Sequence, residues 1–190
     1  MAGIGDREIK VLVVLTDGFE EIEAVTPIDI LRRADFHVTV AGLAKKVVTG
    51  SHGIVLTTDA ILADIKEMPD AIVIPGGPGA EELGRSKVLR EWLAKMAQAK
   101  KTVAAICAAP AAVLAPAGVL EGKKATCFPG YETRLGAGGA EFSAERVVTD
   151  GDLVTSRSAG TAMEFSIELV RKLAGNAKAA EVSEKILARA

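Results

Sequence analysis

The 190-residue sequence predicts an α/β domain built on a mostly parallel sheet. Three observations carry that prediction. Short runs such as IKVLVVL (9–15) and AIVIP (71–75) are almost wholly apolar, as strands buried on both faces should be. Segments with apolar residues at helical spacing alternate with them. Acidic or glycine-rich turns follow the strands, at the end of an open sheet where ligand crevices form.

Taken in order, IKVLVVL is the first strand. A helix follows through EEIEAVTPIDILRRAD, with Val25, Ile28 and Leu31 or Arg32 at helical spacing. HVTVAGL (37–43) reads as a second strand with some alternation. VVTGSHGIVLTTDA sets a Gly-Ser-His-Gly turn between two short β runs and predicts a hairpin. AIVIP is another buried strand and runs into GGPGAEELG. Ser86 is placed to cap KVLREWLAKMAQA, in which Val88, Leu89, Trp92, Leu93 and Met96 make one stripe. TVAAIC is the next strand and APAAVLAPAG the next helix, closed by Gly118 as a C-cap. RVVTDGDLVTSR predicts a hairpin on an Asp-Gly turn. Two helices finish the chain, TAMEFSIELVRKLAG and, after Asn176, AKAAEVSEKILARA. Without a repeat, low-complexity linker or composition break, a single domain over 1–190 is expected.

Composition narrows the function classes. Lys and Arg total 23 against 25 Asp and Glu, a net charge of −2, which points to neither nucleic acid nor an anionic membrane as partner. Cys107 and Cys127 are too few for a disulfide scaffold, and the N-terminal apolar run meets acid too soon for a signal peptide. A reducing cytoplasm is therefore expected. The uncharged stretch TVAAICAAPAAVLAPAGVL (102–120) reaches the nominal length of a membrane span. Pro110, Pro116 and an alanine-rich centre argue against one, because insertion rewards larger apolar residues.

Three strand ends hold the candidate chemistry: TDGFEEIE, GGPG and Cys107. Cys107 ends a strand and precedes a helix, in the frame Ala105-Ile106-Cys107-Ala108-Ala109. Small residues on either side allow the tight turn that a nucleophile elbow needs, and Pro110 suits the first helical turn. A thiol there faces the helix dipole and free N–H groups, so a lowered pKa and an oxyanion site are expected. The bland alternative is a small buried hydrophobe. Glu20 and Glu21 suit an acidic helix start. Glu23 differs, because Pro27 cannot donate to its carbonyl, which predicts a kinked or late helix. Held beside Cys107, Glu23 would serve as general acid or base. The GGPG loop matches neither nucleotide motif, but Gly77 lets its N–H approach an oxyanion. No metal site is expected, since His37, His52, Cys107 and Cys127 lack ligand spacing. Cys127 reads as an inert strand residue, and both histidines as surface residues.

Nearly end to end, the chain resembles the ThiJ/PfpI superfamily and, within it, the DJ-one branch. The resemblance rests on LTDGFEEIEAVTPIDILRRA, VTVAGL, TGSHGIVLTTDA, IVIPGGPGAEEL, AAICAAPAAVLA, TCFPG and TSRSAGTAMEF. It implies a flavodoxin-like three-layer sandwich with a nucleophile elbow, of the class I glutamine amidotransferase-like kind. It also implies a homodimer without metal or organic cofactor. Cys107 matches the family's reactive cysteine and Glu23 the acid that hydrogen-bonds it, while Gly77 and Ala108 match N–H donors to the site. Phe128 stands where some members carry histidine, so a proton relay through that position is lost. Gly50 and Thr57 replace extra cysteines found elsewhere, and His52 replaces a frequent arginine. Ala108 stands where the protease-like branch places a histidine base, which disfavours proteolysis.

The resemblance implies an enzyme acting on 2-oxoaldehydes such as methylglyoxal, of glutathione-independent glyoxalase or deglycase type. Cys107 would form a hemithioacetal and Glu23 would shuttle the proton on the way to lactate; glycated protein or nucleotide are further substrates under this reading. The alternative is an oxidative-stress sensor or chaperone-like protein whose Cys107 is oxidised to sulfinic acid.

Overall fold

A computed structural model describes residues 8–188. The chain runs β1 (Lys10–Leu15), α1 (Glu21–Arg33), β2 (His37–Gly42), a hairpin of β3 (Val47–Thr49) and β4 (Val55–Thr57), β5 (Ala60–Ile61) and β6 (Ala71–Ile74). It continues through α2 (Ala80–Arg85), α3 (Lys87–Gln98), β7 (Thr102–Ile106) and a π-helical turn (Pro110–Leu114). β8 (Lys124–Ala125), α4 (Glu132–Ala137), β9 (Glu141–Phe142), β10 (Val147–Asp150), β11 (Leu153–Ser156) and α5 (Ala162–Lys185) complete it.

Among the described residues, seven strands form one sheet in the order β10-β11-β7-β6-β1-β2-β5. Only β10 runs antiparallel to its neighbour. Apart from the two-residue edge strand β5, the parallel strands lie in the order 2-1-3-4-5 by their place in the chain, which is the flavodoxin-like winding. The switch point falls between β1 and β6, whose register pairs Val11 with Ala71 and Val13 with Val73.

Each central strand feeds two cores, because successive side chains point to opposite faces. Val11, Val13 and Leu15 of β1 join Phe165, Leu169 and Val170 of α5 on one face. Leu12 and Val14 join Leu89, Leu93 and Met96 of α3 on the other. Burial on both sides explains why these strands read as unbroken apolar runs. The result is the expected three-layer sandwich.

Several local readings are corrected. α1 buries Ala24, Pro27, Ile30 and Leu31, while Val25 is 43% exposed. Leu31 and Ile28 of the apolar pattern do meet the core, but Val25 does not, because the buried face also carries Glu21 and Glu23 and so reads as polar. Pro27 neither delays nor ends α1, which runs through it from Glu21. In α3, Ser86 accepts from the Leu89 N–H as a cap, but Val88 of the expected stripe faces solvent. The second hairpin turns on Gly151-Asp152 rather than Asp-Gly, since Asp150 pairs with Leu153. A positive φ at Gly151 and not at Asp152 is the φ pattern of a type II′ connection. Cys127 lies in a loop past the end of β8, not in a strand, though it is fully buried.

The segment after Cys107 is not a plain α-helix. It forms a π turn in which the Ala115 N–H reaches back to the Pro110 carbonyl. Gly118, with φ +70°, closes it as expected. The two final helices abut at Gly175, whose φ of 87° and ψ of 173° break the helical path. The last two residues of the second helix segment, and the start of the N-terminal run through residue 7, lie outside the described residues. Among those described, no helix is long and apolar enough to cross a membrane, and 102–120 divides between β7, the π turn and loop.

Candidate active site

Cys107 is the first residue beyond β7 and has φ +66°, a left-handed conformation that a side chain rarely adopts. Two backbone bonds hold it there. Its N–H donates to the Ser156 carbonyl at 2.9 Å, and its own carbonyl accepts from the Phe128 N–H at 2.8 Å. Ala105 and Ala109, two residues to either side of it, are fully buried. The sharp strand-to-turn elbow is therefore built as the alanine-rich frame predicted, and Cys107 is half-buried at its tip.

Glu23 arrives from α1. Glu20 caps the helix by accepting the Glu23 N–H at 2.7 Å, which starts the helix early enough to turn Glu23 inward. Its side chain is 1% exposed. Oε2 accepts the Gly76 N–H at 2.9 Å. Among the described residues, Oε1 is buried without a partner in direct hydrogen-bond geometry. The Cys107 side chain and the Ala159 N–H both face this carboxyl and favour its charged form.

Gly76, just beyond β6, joins the two side chains. A Cβ built on it would lie 2.7 Å from Cys107 Cβ, 2.7 Å from Glu23 Oε2 and 3.1 Å from the Ala108 nitrogen. No side chain fits between these groups. Gly77 follows with φ +89°, and its own Cβ would strike the Gly18 oxygen at 2.5 Å. The Glu20 N–H donates to the Gly76 carbonyl and the Gly79 N–H to the Gly18 carbonyl, so the loops after β1 and β6 are bonded to each other. Sequence reasoning chose Gly77 and passed over Gly76, although the doubled glycine directly after a buried strand was the signal for it.

The four residues singled out from sequence, Cys107, Glu23, Gly77 and Ala108, are thus brought together at the carboxyl ends of β1, β6 and β7. Their protonation differs from expectation. Burial raises the Glu23 carboxyl to about 7, against the pull of Cys107 and the Gly76 and Ala159 N–H groups. Burial, then the charge and hydrogen bond of Glu23, push the Cys107 thiol up to about 12, while the Ala108 and Gly77 N–H groups pull it down. The expected lowering by a helix terminus fails for a physical reason. The element behind Cys107 is a five-residue π turn with little dipole, and a carboxylate sits beside the sulfur. Once Glu23 is protonated the last two raising causes vanish, so the charge on each of the two groups depends on that of the other.

Other titratable clusters do different work. Glu21 accepts from the His52 N–H at 2.6 Å, from His52 Nδ1 at 2.9 Å and from Ser51 Oγ at 3.2 Å. Burial alone would raise Glu21, yet the His52 ring and the N–H groups of His52, Glu21 itself and Ile54 hold it down to about 2. Ser51, His52 and Glu21 resemble a hydrolytic triad in composition only, because serine and glutamate both meet Nδ1 and a relay needs both ring nitrogens. Glu20, Glu21 and His52 also lie within ligand distance of one another. The Glu21 oxygens are spent on the hairpin turn, and Glu21 raises the His52 pKa towards imidazolium, which has no lone pair for a metal. Cys127 is fully buried, with its thiol pushed to about 11 by burial first of all. Phe128 is 40% exposed beside the elbow, its ring edge-on to Tyr131 at 6.5 Å.

The DJ-1/PfpI family model matches residues 9–172. The zebrafish Parkinson disease protein 7 homolog is 40% identical over 183 residues, covering 94% of this chain and 96% of that protein. Protein DJ-1 homolog A of Arabidopsis thaliana is 44% identical, but the chain spans only 46% of its length. The crystal structure of Drosophila melanogaster DJ-1beta superposes with a TM-score of 0.93 at 36% identity, covering 97% of this chain and 100% of that one. With that likeness the fold is class I glutamine amidotransferase-like. The elbow cysteine, the inward glutamate and the glycine between them lie within the matched span, and the chain belongs to the DJ-1/PfpI family.

Proposed function

We propose that the chain is a cofactor-independent enzyme that converts 2-oxoaldehydes such as methylglyoxal to 2-hydroxy acids. The observation that carries the reading is the Cys107–Glu23 pair facing one another across Gly76, with the Gly77 and Ala108 N–H groups directed at the sulfur. Cys107 Sγ attacks the aldehyde carbon while the Glu23 carboxylate takes the thiol proton. The hemithioacetal oxyanion lies against the two N–H groups. Glu23 returns the thiol proton to that oxygen and is a carboxylate again. It then moves a proton from the former aldehyde carbon to its neighbour through an enediol, while the hydroxyl proton passes to the former ketone oxygen. The aldehyde carbon is oxidised to a thioester as the ketone is reduced to an alcohol, so no external redox partner is needed. Water cleaves the thioester, releasing lactate and the thiol.

Two relatives support the substrate class by name. One from Pyrococcus abyssi, 32% identical, is called a deglycase, and one from Caenorhabditis elegans, 34% identical, a glutathione-independent glyoxalase. The exposed Ile22 and Val25 of α1, with Val47, Ile54 and Val55 on the hairpin, favour a homodimer of single-domain chains. The balance of free thiols over disulfides favours the cytoplasm.

The test is lactate formation from methylglyoxal without glutathione, in wild type, Cys107→Ser and Glu23→Gln. Wild type should form lactate and both variants should lose it; no lactate above buffer in wild type refutes the reading. A second reading, oxidation of Cys107 to a sulfinate as a stress signal, is favoured by a Glu23 carboxyl raised to about 7, able to donate to a sulfinate oxygen. Mild peroxide should then add two oxygens at Cys107, and first oxidation at Cys127 would count against it.

A further inference from the structure

The π turn behind Cys107 leaves one carbonyl that its own helix cannot satisfy. In an α-helix the Ala112 carbonyl would accept from residue 116, but residue 116 is proline and has no N–H. The next donor, the Ala117 N–H, goes to Leu114 instead. Arg134, from α4, fills the gap: its Nη2 donates to the Ala112 oxygen at 3.3 Å. Its Nη1 pairs with Glu81 Oε1 on α2. One planar guanidinium therefore bonds both the π turn and α2.

These two segments meet backbone to backbone. A Cβ on Gly84 of α2 would lie 1.9 Å from the same Ala112 oxygen. One of the donors directed at the sulfur lies just ahead of each segment. The Gly77 N–H leads into α2, and Ala108 begins the turn that its carbonyl closes by accepting the Ala112 N–H at 2.8 Å. The distance between the two donors thus depends on how α2 seats on the π turn.

We propose that Arg134 is a positioning residue, clasping α2 to the π turn so that the Gly77 and Ala108 N–H groups converge on Cys107 Sγ. The proposal rests on Cys107 being the site nucleophile, as in the preceding section. Arg134 and Glu81 are 43% and 42% exposed, and a pair that exposed adds little to global stability. Its loss is read at the sulfur.

The experiment is the pH profile of iodoacetamide alkylation, with peptide mass spectrometry separating Cys107 from Cys127, in wild type, Arg134→Met, Arg134→Lys and Glu81→Gln. Arg134→Met should slow Cys107 labelling about threefold to tenfold at pH 7 and move its profile to higher pH, because charge-assisted donors to the thiolate are misplaced. Arg134→Lys and Glu81→Gln, each keeping one arm of the clasp, should fall between. Cys127 should stay unlabelled in the native protein throughout. Superimposable Cys107 profiles for wild type and a folded Arg134→Met would overturn the proposal. So would Cys127 labelling that appears together with the Cys107 change, which signals general loosening. Alkylation reads the thiol directly, so a wild type that forms no lactate refutes the enzyme reading and leaves this result to stand or fall alone.

Discussion

Glu23 Oε2 accepts the Gly76 N–H at 2.9 Å, at a glycine whose missing Cβ would overlap both that oxygen and Cys107 Cβ at 2.7 Å. Acid and sulfur approach each other because the residue between them has no side chain. Gly76→Ala should therefore abolish lactate formation, by roughly a hundredfold or more, since angstrom-scale misplacement of reacting groups costs that much. Cys107 alkylation and circular dichroism on the same variant separate a displaced pair from an unfolded protein.

Glu23 also carries a pH signature. Its folded pKa is raised to about 7 from 4.5, so between those values the folded state binds more protons than the unfolded one. Stability then falls as pH rises from 4.5 to 7. The full penalty applies above 7 and none applies below 4.5. Glu23→Gln should be more stable than wild type by up to about 3 kcal/mol at pH 8, with the gap closing by pH 4.5. Urea midpoints across that range measure it, and a pH-independent difference would contradict it.

The same titration should shape turnover. If Glu23 acts as the base on the thiol, lactate production rises as pH passes through about 7, and Glu23→Asp should retain the limb while losing rate. A flat profile between pH 6 and 8 is the result that would count against the assignment.

Glu21 works in the opposite direction. Held down to about 2 from 4.5, it contributes stability that is present above 4.5 and lost as pH falls through about 2. Glu21→Ala removes the acceptor of the His52 N–H and one partner of the Ser51 hydroxyl, at a cost of about 1–3 kcal/mol. Limited proteolysis should locate the damage in the 47–57 hairpin, and an unchanged cleavage pattern would refute that role.

The two thiols should separate by accessibility. Cys107 is half-buried and Cys127 is 0% exposed, so one thiol per chain should react with a disulfide reagent in buffer and two in denaturant. Two fast equivalents in buffer would be inconsistent with this packing.

Much of this site was legible in residue order. The apolar runs marked β1, β6 and β7 because burial on both faces leaves no polar alternation, and their ends marked the crevice. The small residues around Cys107 allowed an elbow, and the structure bends there at φ +66°. Less legible was any feature governed by a distant group. α1 buries Glu21 and Glu23, so its polar-looking face is the inner one, and only the hairpin turn and Gly76 explain how those carboxylates are held.

Sequence alone determined the buried strands, the three strand ends and the candidate thiol and glycine loop, because strand burial and tight turns leave local signatures; the winding and the pairing of Glu23 with Cys107 rested on the family resemblance. Tertiary structure decided what those groups are like chemically. The thiol looked activated when only its own turn was considered. Beside a buried carboxylate, and next to a π turn that Pro116 leaves incomplete, it holds its proton more tightly than a free thiol does. Solvation and charge depend on what folds against a residue, and the neighbours that set them here lie tens of residues away in the chain.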